Sequence, residues 1–127
     1  MAKKIITTDQ APKAIGPYSA GIQVNGFVYT SGQLGMDPQT GVLVDGGIEA
    51  ETKRALENLR AVLEAGGSDL DHVIKTTVFL RDINDFAKMN AVYETFFSSQ
   101  PPARSAIQVA ALPKGGAVEI EAVAIVA

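Results

Sequence analysis

Three charged side chains near the C-terminus have the type and spacing to do chemistry. Arg104 lies in 103–110, a run that reads as a strand, and strand parity groups it with Ala106 and Gln108 against Ala103, Ser105, Ile107 and Val109. A guanidinium is always charged and offers a planar fork of donors that matches a carboxylate bidentately. Spacing alone favours a plainer role, a rim arginine paired with an acid, because exposed ion pairs are common and contribute little. Glu119 and Glu121 alternate along the last strand-like run, 118–126, with Val118, Ile120, Ala122 and Ala124 on its opposite face, so both carboxylates point the same way. A carboxylate partly removed from water has a raised pKa and can act as general acid or base near neutral pH, a factor of ~10²–10⁴ in rate. A solvated strand end is the alternative, and spacing favours it unless something brings a substrate there.

The rest of the inventory narrows the chemistry by what is missing. The chain has no cysteine and one histidine, His72. Thiol nucleophiles, disulfides, iron–sulfur clusters and Cys/His zinc sites are excluded, and a Ser-His-Asp triad would have to run through His72. His72 itself reads as a strand-start residue. Gly32-Gln33-Leu34-Gly35 has two glycines but precedes a loop, which is poor support for a phosphate cradle. With 127 residues, 46% hydrophobic and 20% charged, the chain is expected to form one globular domain, 1–127. A net charge of −3 supplies no positive field for nucleic acid or anionic lipid. Segment 1–12 turns polar too early for a signal sequence, and no apolar run approaches the ~20 residues of a membrane span, so a cytoplasmic protein with no membrane partner is expected.

The elements that must position these groups follow from pattern. Lys3 to Thr7 is a short β-branched run. Asn25-Gly26 between Ile22-Gln23-Val24 and 27–31 predicts a hairpin, because both central residues of a type I′ turn need positive φ. Residues 35–47, with Pro38 and four glycines, read as a loop with an embedded turn. Between Ile48 and Ala65 the residues Ile48, Ala55, Leu56, Leu59, Val62 and Leu63 recur at helical spacing, with Glu51, Arg54, Glu57 and Glu64 mostly off that stripe, and Gly66-Gly67 stops the helix. His72 to Arg81 reads as a strand. Asn84 is placed to cap a second helix carrying Phe86, Met89, Tyr93, Phe96 and Phe97 on one face, and Pro101-Pro102 ends it. Asn90 shares that face, as a satisfied core asparagine or as a group lining a cavity.

The expected architecture is α+β, about six strands in a mixed sheet with two helices packed on one face. The strand at 72–81 is half apolar on both of its faces, and so is 27–31. A sheet wetted on one side should alternate more cleanly. No segment is left to cover the second face, so a further copy of the chain is expected there.

Several blocks together resemble one family. The run Pro102-Ala103-Arg104-Ser105-Ala106-Ile107, with Leu112-Pro113-Lys114 and Val118-Glu119-Ile120-Glu121-Ala122, is similar to the C-terminal signature of the reactive intermediate deaminase family, RidA/YjgF. Ala14-Ile15-Gly16-Pro17-Tyr18-Ser19, Tyr29-Thr30-Ser31-Gly32-Gln33, 73–79 and Asn84-Asp85-Phe86 resemble it in the same order. The resemblance implies a chorismate-mutase-like fold assembled as a homotrimer with clefts between subunits. It implies hydrolysis of enamine and imine acids, such as 2-aminoacrylate, its tautomer 2-iminopropionate, and 2-iminobutyrate, to a 2-keto acid and ammonia. Pyridoxal-phosphate dehydratases acting on serine or threonine release such intermediates, and no metal or organic cofactor is implied.

By the same resemblance, Arg104 grips the substrate carboxylate and Glu119 stands by the attacking water. Tyr18 and Ser31 line the cleft, with Gly32 and the backbone of Ala106 close by and Asn90 and Phe86 as further lining residues. Position 106 is alanine where some members have cysteine, and 97–102 is shorter than in some members. Two other readings remain open: an endoribonuclease or translation inhibitor, against which the charge balance and the few aromatics argue, and a non-catalytic, chaperone-like or carboxylate-binding trimer.

Overall fold

The computed structural model describes residues 2–127. One mixed sheet is built from β1 (Lys4–Ile6), β2 (Gly21–Val24), β3 (Phe27–Thr30), β4 (Gln33–Leu34), β5 (Val73–Leu80), β6 (Ala103–Gln108) and β7 (Val118–Ile125). Its order is β1-β2-β3-β7-β5-β6, with the short β4 also paired to β7. Every pairing is antiparallel except β5 with β6. Helices α1 (Gly47–Ala65) and α2 (Phe86–Phe96) cover one face. Neither is long and apolar enough to cross a membrane.

The expected elements are present at nearly the expected bounds. The β2–β3 hairpin turns on Asn25 at φ 54° and Gly26 at φ 79°, the two positive values a type I′ turn requires. Along β7, Val118, Ile120, Ala122 and Ala124 are buried beneath the helices with Val28 of β3 and Val78 and Leu80 of β5. In the loop 35–47, Met36 and Leu43 form an isolated antiparallel bridge around the turn at Gly41.

Four details differ from expectation. Two-residue β4 is too short to leave a periodic signal, and it makes the sheet seven-stranded. Asn84 does not cap α2. The helix has Asp85 at its N-cap position, without a side-chain cap bond, and Asn84 instead lies in the preceding 3-10 turn, Ile83–Asp85, where its N–H donates to the capping Asp82 Oδ1 at 2.9 Å. His72 belongs to a 3-10 turn before β5, its Nδ1 2.6 Å from Asp69 Oδ1. Glu51 is buried rather than on the wet side of α1.

The other face of the sheet carries no helix. Tyr29 is 45% exposed there, Ile107 47% and Ile125 40%. The register sets Phe27 opposite Ile125 and Tyr29 opposite Val123, so these four are contiguous, while Ile107 stands apart on β6 opposite Phe79.

Candidate active site

β6 is the sheet's edge strand and runs parallel to β5, with Arg104 opposite Thr76 and Ala106 opposite Val78. Thr76 and Val78 are buried beneath the helices, so Arg104 lies on the helix-covered face. Spacings of four and three put Phe86, Asn90 and Tyr93 on the side of α2 that meets it. An Arg104 Nη donates to Asn90 Oδ1 at 2.7 Å. The guanidinium carbon stands 4.7 Å from the Tyr93 ring centroid and 5.3 Å from that of Phe86. Cation–π contacts of this kind stabilise by about 0.5–2 kcal/mol and fix the plane of the fork.

Tyr93 is the residue that sequence reasoning assigned to the core alone. Its hydroxyl lies 2.7 Å from Thr76 Oγ1, which orients the ring beneath the arginine. Burial pushes the phenol up, against smaller opposing effects of the Thr76 hydrogen bond and the Arg104 charge, so it stays a neutral hydroxyl. Among the described residues the ion pairs are Arg54–Glu57 and His72–Asp69, and Arg104 belongs to neither. A half-buried guanidinium is thus held ready beside a hollow lined by Asn90, Tyr93, Phe97, Pro101 and Pro102. Asn90, left open between core and cavity roles, does the second.

Glu119 lies on the opposite face, paired across the sheet with Phe79 of β5 and Leu34 of β4. A second hollow forms around it, walled by Tyr18, Gly32, Leu34, Met36 and the turn at Pro113–Lys114. Burial raises the Glu119 carboxyl above the ordinary carboxylate range, and repulsion from Glu121 adds to the rise. Tyr18 is exposed at the rim, its hydroxyl accepting a long 3.4 Å bond from the Ile15 N–H. Ser31 Oγ donates to the Ser19 carbonyl at 2.5 Å, so that hydroxyl proton is committed to holding the Tyr18–Ser19 segment against the end of β3.

Gly32 is where the chain approaches the carboxylate most closely. A Cβ added there would stand 2.7 Å from Glu119 Cδ and 2.9 Å from Oε2. Gly32 does not occupy the left-handed region, so only space is at issue. Gly32→Ala is expected to swing the flexible carboxylate aside and leave the fold intact. Melting temperature should stay close to wild type while any turnover that depends on Glu119 falls about tenfold or more. Paired melting and kinetic measurements check this, and an unchanged turnover would separate Gly32 from the chemistry.

The eight candidate residues therefore fall in two groups. Arg104, Ala106, Asn90 and Phe86 gather beneath α2, while Glu119, Tyr18, Gly32 and Ser31 gather on the open face. Within one chain the sheet separates the guanidinium from the carboxylate.

Comparison with known proteins places this arrangement in a family. The profile described as Endoribonuclease L-PSP matches residues 8–126. A Mus musculus protein named 2-iminobutanoate/2-iminopropanoate deaminase is 54% identical over 97% of this chain and 91% of its own. Among solved structures, E. coli TdcF with bound serine has a TM-score of 0.93 at 44% identity, covering 98% of this chain and 99% of that one. A conserved Rid family protein, YyfA of Yersinia pestis, has a TM-score of 0.95 at 47% identity, covering 98% and 100%. A family profile spanning almost the whole chain, with relatives this similar from end to end, assigns the chain to the Rid (RidA/YjgF) family, whose profile is described as Endoribonuclease L-PSP.

Proposed function

We propose that the protein hydrolyses reactive 2-imino and 2-enamino acids, namely 2-aminoacrylate/2-iminopropionate and 2-iminobutyrate, to the 2-keto acid and ammonia, with residues 1–127 working as one Rid-type domain. The observation that carries this reading is Arg104, a guanidinium oriented by Asn90 and two aromatic rings and outside both of the ion pairs among the described residues. Such a group suits a carboxylate supplied from outside the chain. The names of the mammalian relatives and the serine on TdcF support a small amino-acid-derived substrate.

The chemistry follows from the groups present. Pairing Arg104 with the substrate carboxylate offsets the negative charge beside the imine carbon and makes that carbon more electrophilic. Glu119, a stronger base for its raised pKa, takes a proton from water as the water oxygen bonds to that carbon and the C=N π pair moves to nitrogen. Glu119 returns that proton to the nitrogen, giving the neutral carbinolamine, which collapses as the hydroxyl proton passes to nitrogen, the C–N bond breaks to release ammonia and the oxygen lone pair forms the ketone C=O. Tyr18, Ser31, Gly32 and Ala106 shape the cleft, Ala106 through its backbone alone. No step calls on a metal or organic cofactor.

One chain holds its guanidinium and its carboxylate on opposite sides of the sheet, so the reaction needs a neighbour. The reading includes a homotrimer in which the Arg104 hollow of one subunit meets the Glu119 hollow of the next. The contiguous apolar groups on the open face support such packing. Pyridoxal-phosphate dehydratases acting on serine or threonine in the cytoplasm would supply the substrate.

A serine or threonine dehydratase run with and without this protein tests the activity. The expected result is a shorter imine lifetime and faster appearance of keto acid. Equal lifetimes across several amino-acid substrates would overturn it. The family description also names an endoribonuclease, but a net charge of −3 and the Glu119–Glu121 pair on the open face repel phosphates rather than attract them.

A further inference from the structure

Among the buried polar side chains of α1, Glu51 and Asn58 hold main-chain groups and are not used by the reaction above. Glu51, 7% exposed, and Asn58, 0% exposed, are seven residues apart, which puts both on one face of the helix with Ala55 between them. Both are spent on main chain. Glu51 Oε1 accepts the Ala117 N–H at 2.9 Å. Asn58 Nδ2 donates to the carbonyls of Leu34 at 3.1 Å and Met36 at 2.9 Å.

Gly35, between the two carbonyls held by Asn58, lies directly on the helix. A Cβ there would stand 2.5 Å from the Glu51 carbonyl oxygen and 2.6 Å from its Cα, so no other residue lets β4 lie this close. The backbone segments held in this way flank Glu119. Leu34 and Met36 form one wall of its hollow, and Ala117 joins the Pro113–Lys114 wall to the strand that bears it. Burying a carboxylate and an amide is unfavourable compared with packing leucine, unless the hydrogen bonds they make are needed.

We infer that Glu51 and Asn58 are positioning residues for Glu119: together they fix the separation of the two walls, and with it the placement of the carboxylate and its shielding from water. The inference rests on the proposed hydrolysis for its kinetic readout. Its test compares kcat, KM and the pH dependence of kcat for wild type, E51Q, E51A and N58A, with exchange of the Ala117 amide followed by NMR.

In E51A, kcat should fall about ten- to a hundredfold, with KM for the imino acid within about twofold of wild type because neither Glu51 nor the Ala117 segment it holds lines the Arg104 hollow. The acid limb of kcat should move to lower pH as water reaches Glu119. The charged and titratable groups around that carboxyl, Glu121 on its own strand, Lys13 and Tyr18 from the N-terminal segment and Lys114 from the turn, are unaltered. E51Q keeps an acceptor oxygen in place and should restore kcat, the acid limb and slow Ala117 exchange together. N58A should follow E51A.

A folded E51A with fast Ala117 exchange but wild-type kcat and acid limb overturns the inference. Should E51A not fold, E51D, whose acceptor is one methylene short, gives the same comparison. A wild type that hydrolyses no imine overturns the proposed function instead. Carbon-NMR titration of the Glu119 carboxyl then decides the positioning role without substrate, a curve unchanged between wild type and E51A being the contrary result.

Discussion

Arg104→Ala is expected to return keto-acid release to the uncatalysed rate, the largest loss from any single substitution in this chain. The side chain sits on an edge strand, half-buried, and its hydrogen bond goes to a side chain, so its removal leaves the sheet pairing intact. What would disappear is the proposed bidentate, charge-assisted contact with the substrate carboxylate. Each hydrogen bond to a charged group contributes about 1.5–3 kcal/mol, so losing the pair should lower kcat/KM by at least ~100-fold. The loss extends beyond affinity, because an unpaired substrate carboxylate also makes the neighbouring carbon a poorer electrophile. Arg104→Lys keeps the charge without the fork and should recover only part of the rate. Stopped assays on freshly generated imine, with circular dichroism to confirm folding, make the comparison. Matching rates for Arg104→Ala and wild type would remove the basis of the proposed activity.

Glu119→Gln is expected to lower kcat by ~10²–10⁴ with little change in substrate affinity, since in the proposed mechanism the carboxylate meets water and the guanidinium meets substrate. A variant with full activity would remove Glu119 from the chemistry, whereas carboxylate binding with no turnover in the wild type would favour the non-catalytic, carboxylate-binding reading. The same change should affect stability in a pH-dependent way. Folding raises the Glu119 pKa, so the folded chain binds that proton more tightly than the unfolded chain and loses stability as pH rises through the titration. Glutamine has no such proton. Melting of the variant should therefore match wild type well below the carboxylate range and exceed it at neutral pH.

The two inactive variants also test assembly. If each cleft takes Arg104 from one subunit and Glu119 from the next, mixing Arg104→Ala with Glu119→Gln subunits in equal amounts should regenerate about a quarter of the wild-type clefts. A self-contained site would regenerate none, and a monomeric mass by light scattering at working concentration would exclude shared clefts outright.

Much of this arrangement is legible from residue spacing. Parity along β6 and β7 sorts Arg104 with Ala106 and Glu119 with Glu121 before any coordinates, and the hairpin and both helices follow from turn chemistry and periodicity. Which face each group occupies is not legible, because it depends on β6 joining β5 in parallel, a pairing between segments that no local pattern encodes. Glu51 is instructive in a different way. It stands three residues after Ile48 and four before Ala55, squarely at a core position, and a reading that weighs charge above spacing sets it in water. Asn84 shows the converse: its type suits a cap, but it falls inside a 3-10 turn that Asp82 caps, and α2 starts beyond it with no side-chain cap. The β4 contact is lost to pattern analysis because two residues cannot display a period.

The sheet between Arg104 and Glu119 has a further effect. A guanidinium and a carboxylate free to meet in one chain would neutralise each other, and a substrate would have to break that internal pair before binding. Here a layer of packed apolar side chains acts as an insulator, so a newly made chain can fold without quenching either group. In the proposed shared cleft both charges would stay unspent until a partner's surface brought them within reach, and the onset of catalysis would then follow the concentration of the protein itself.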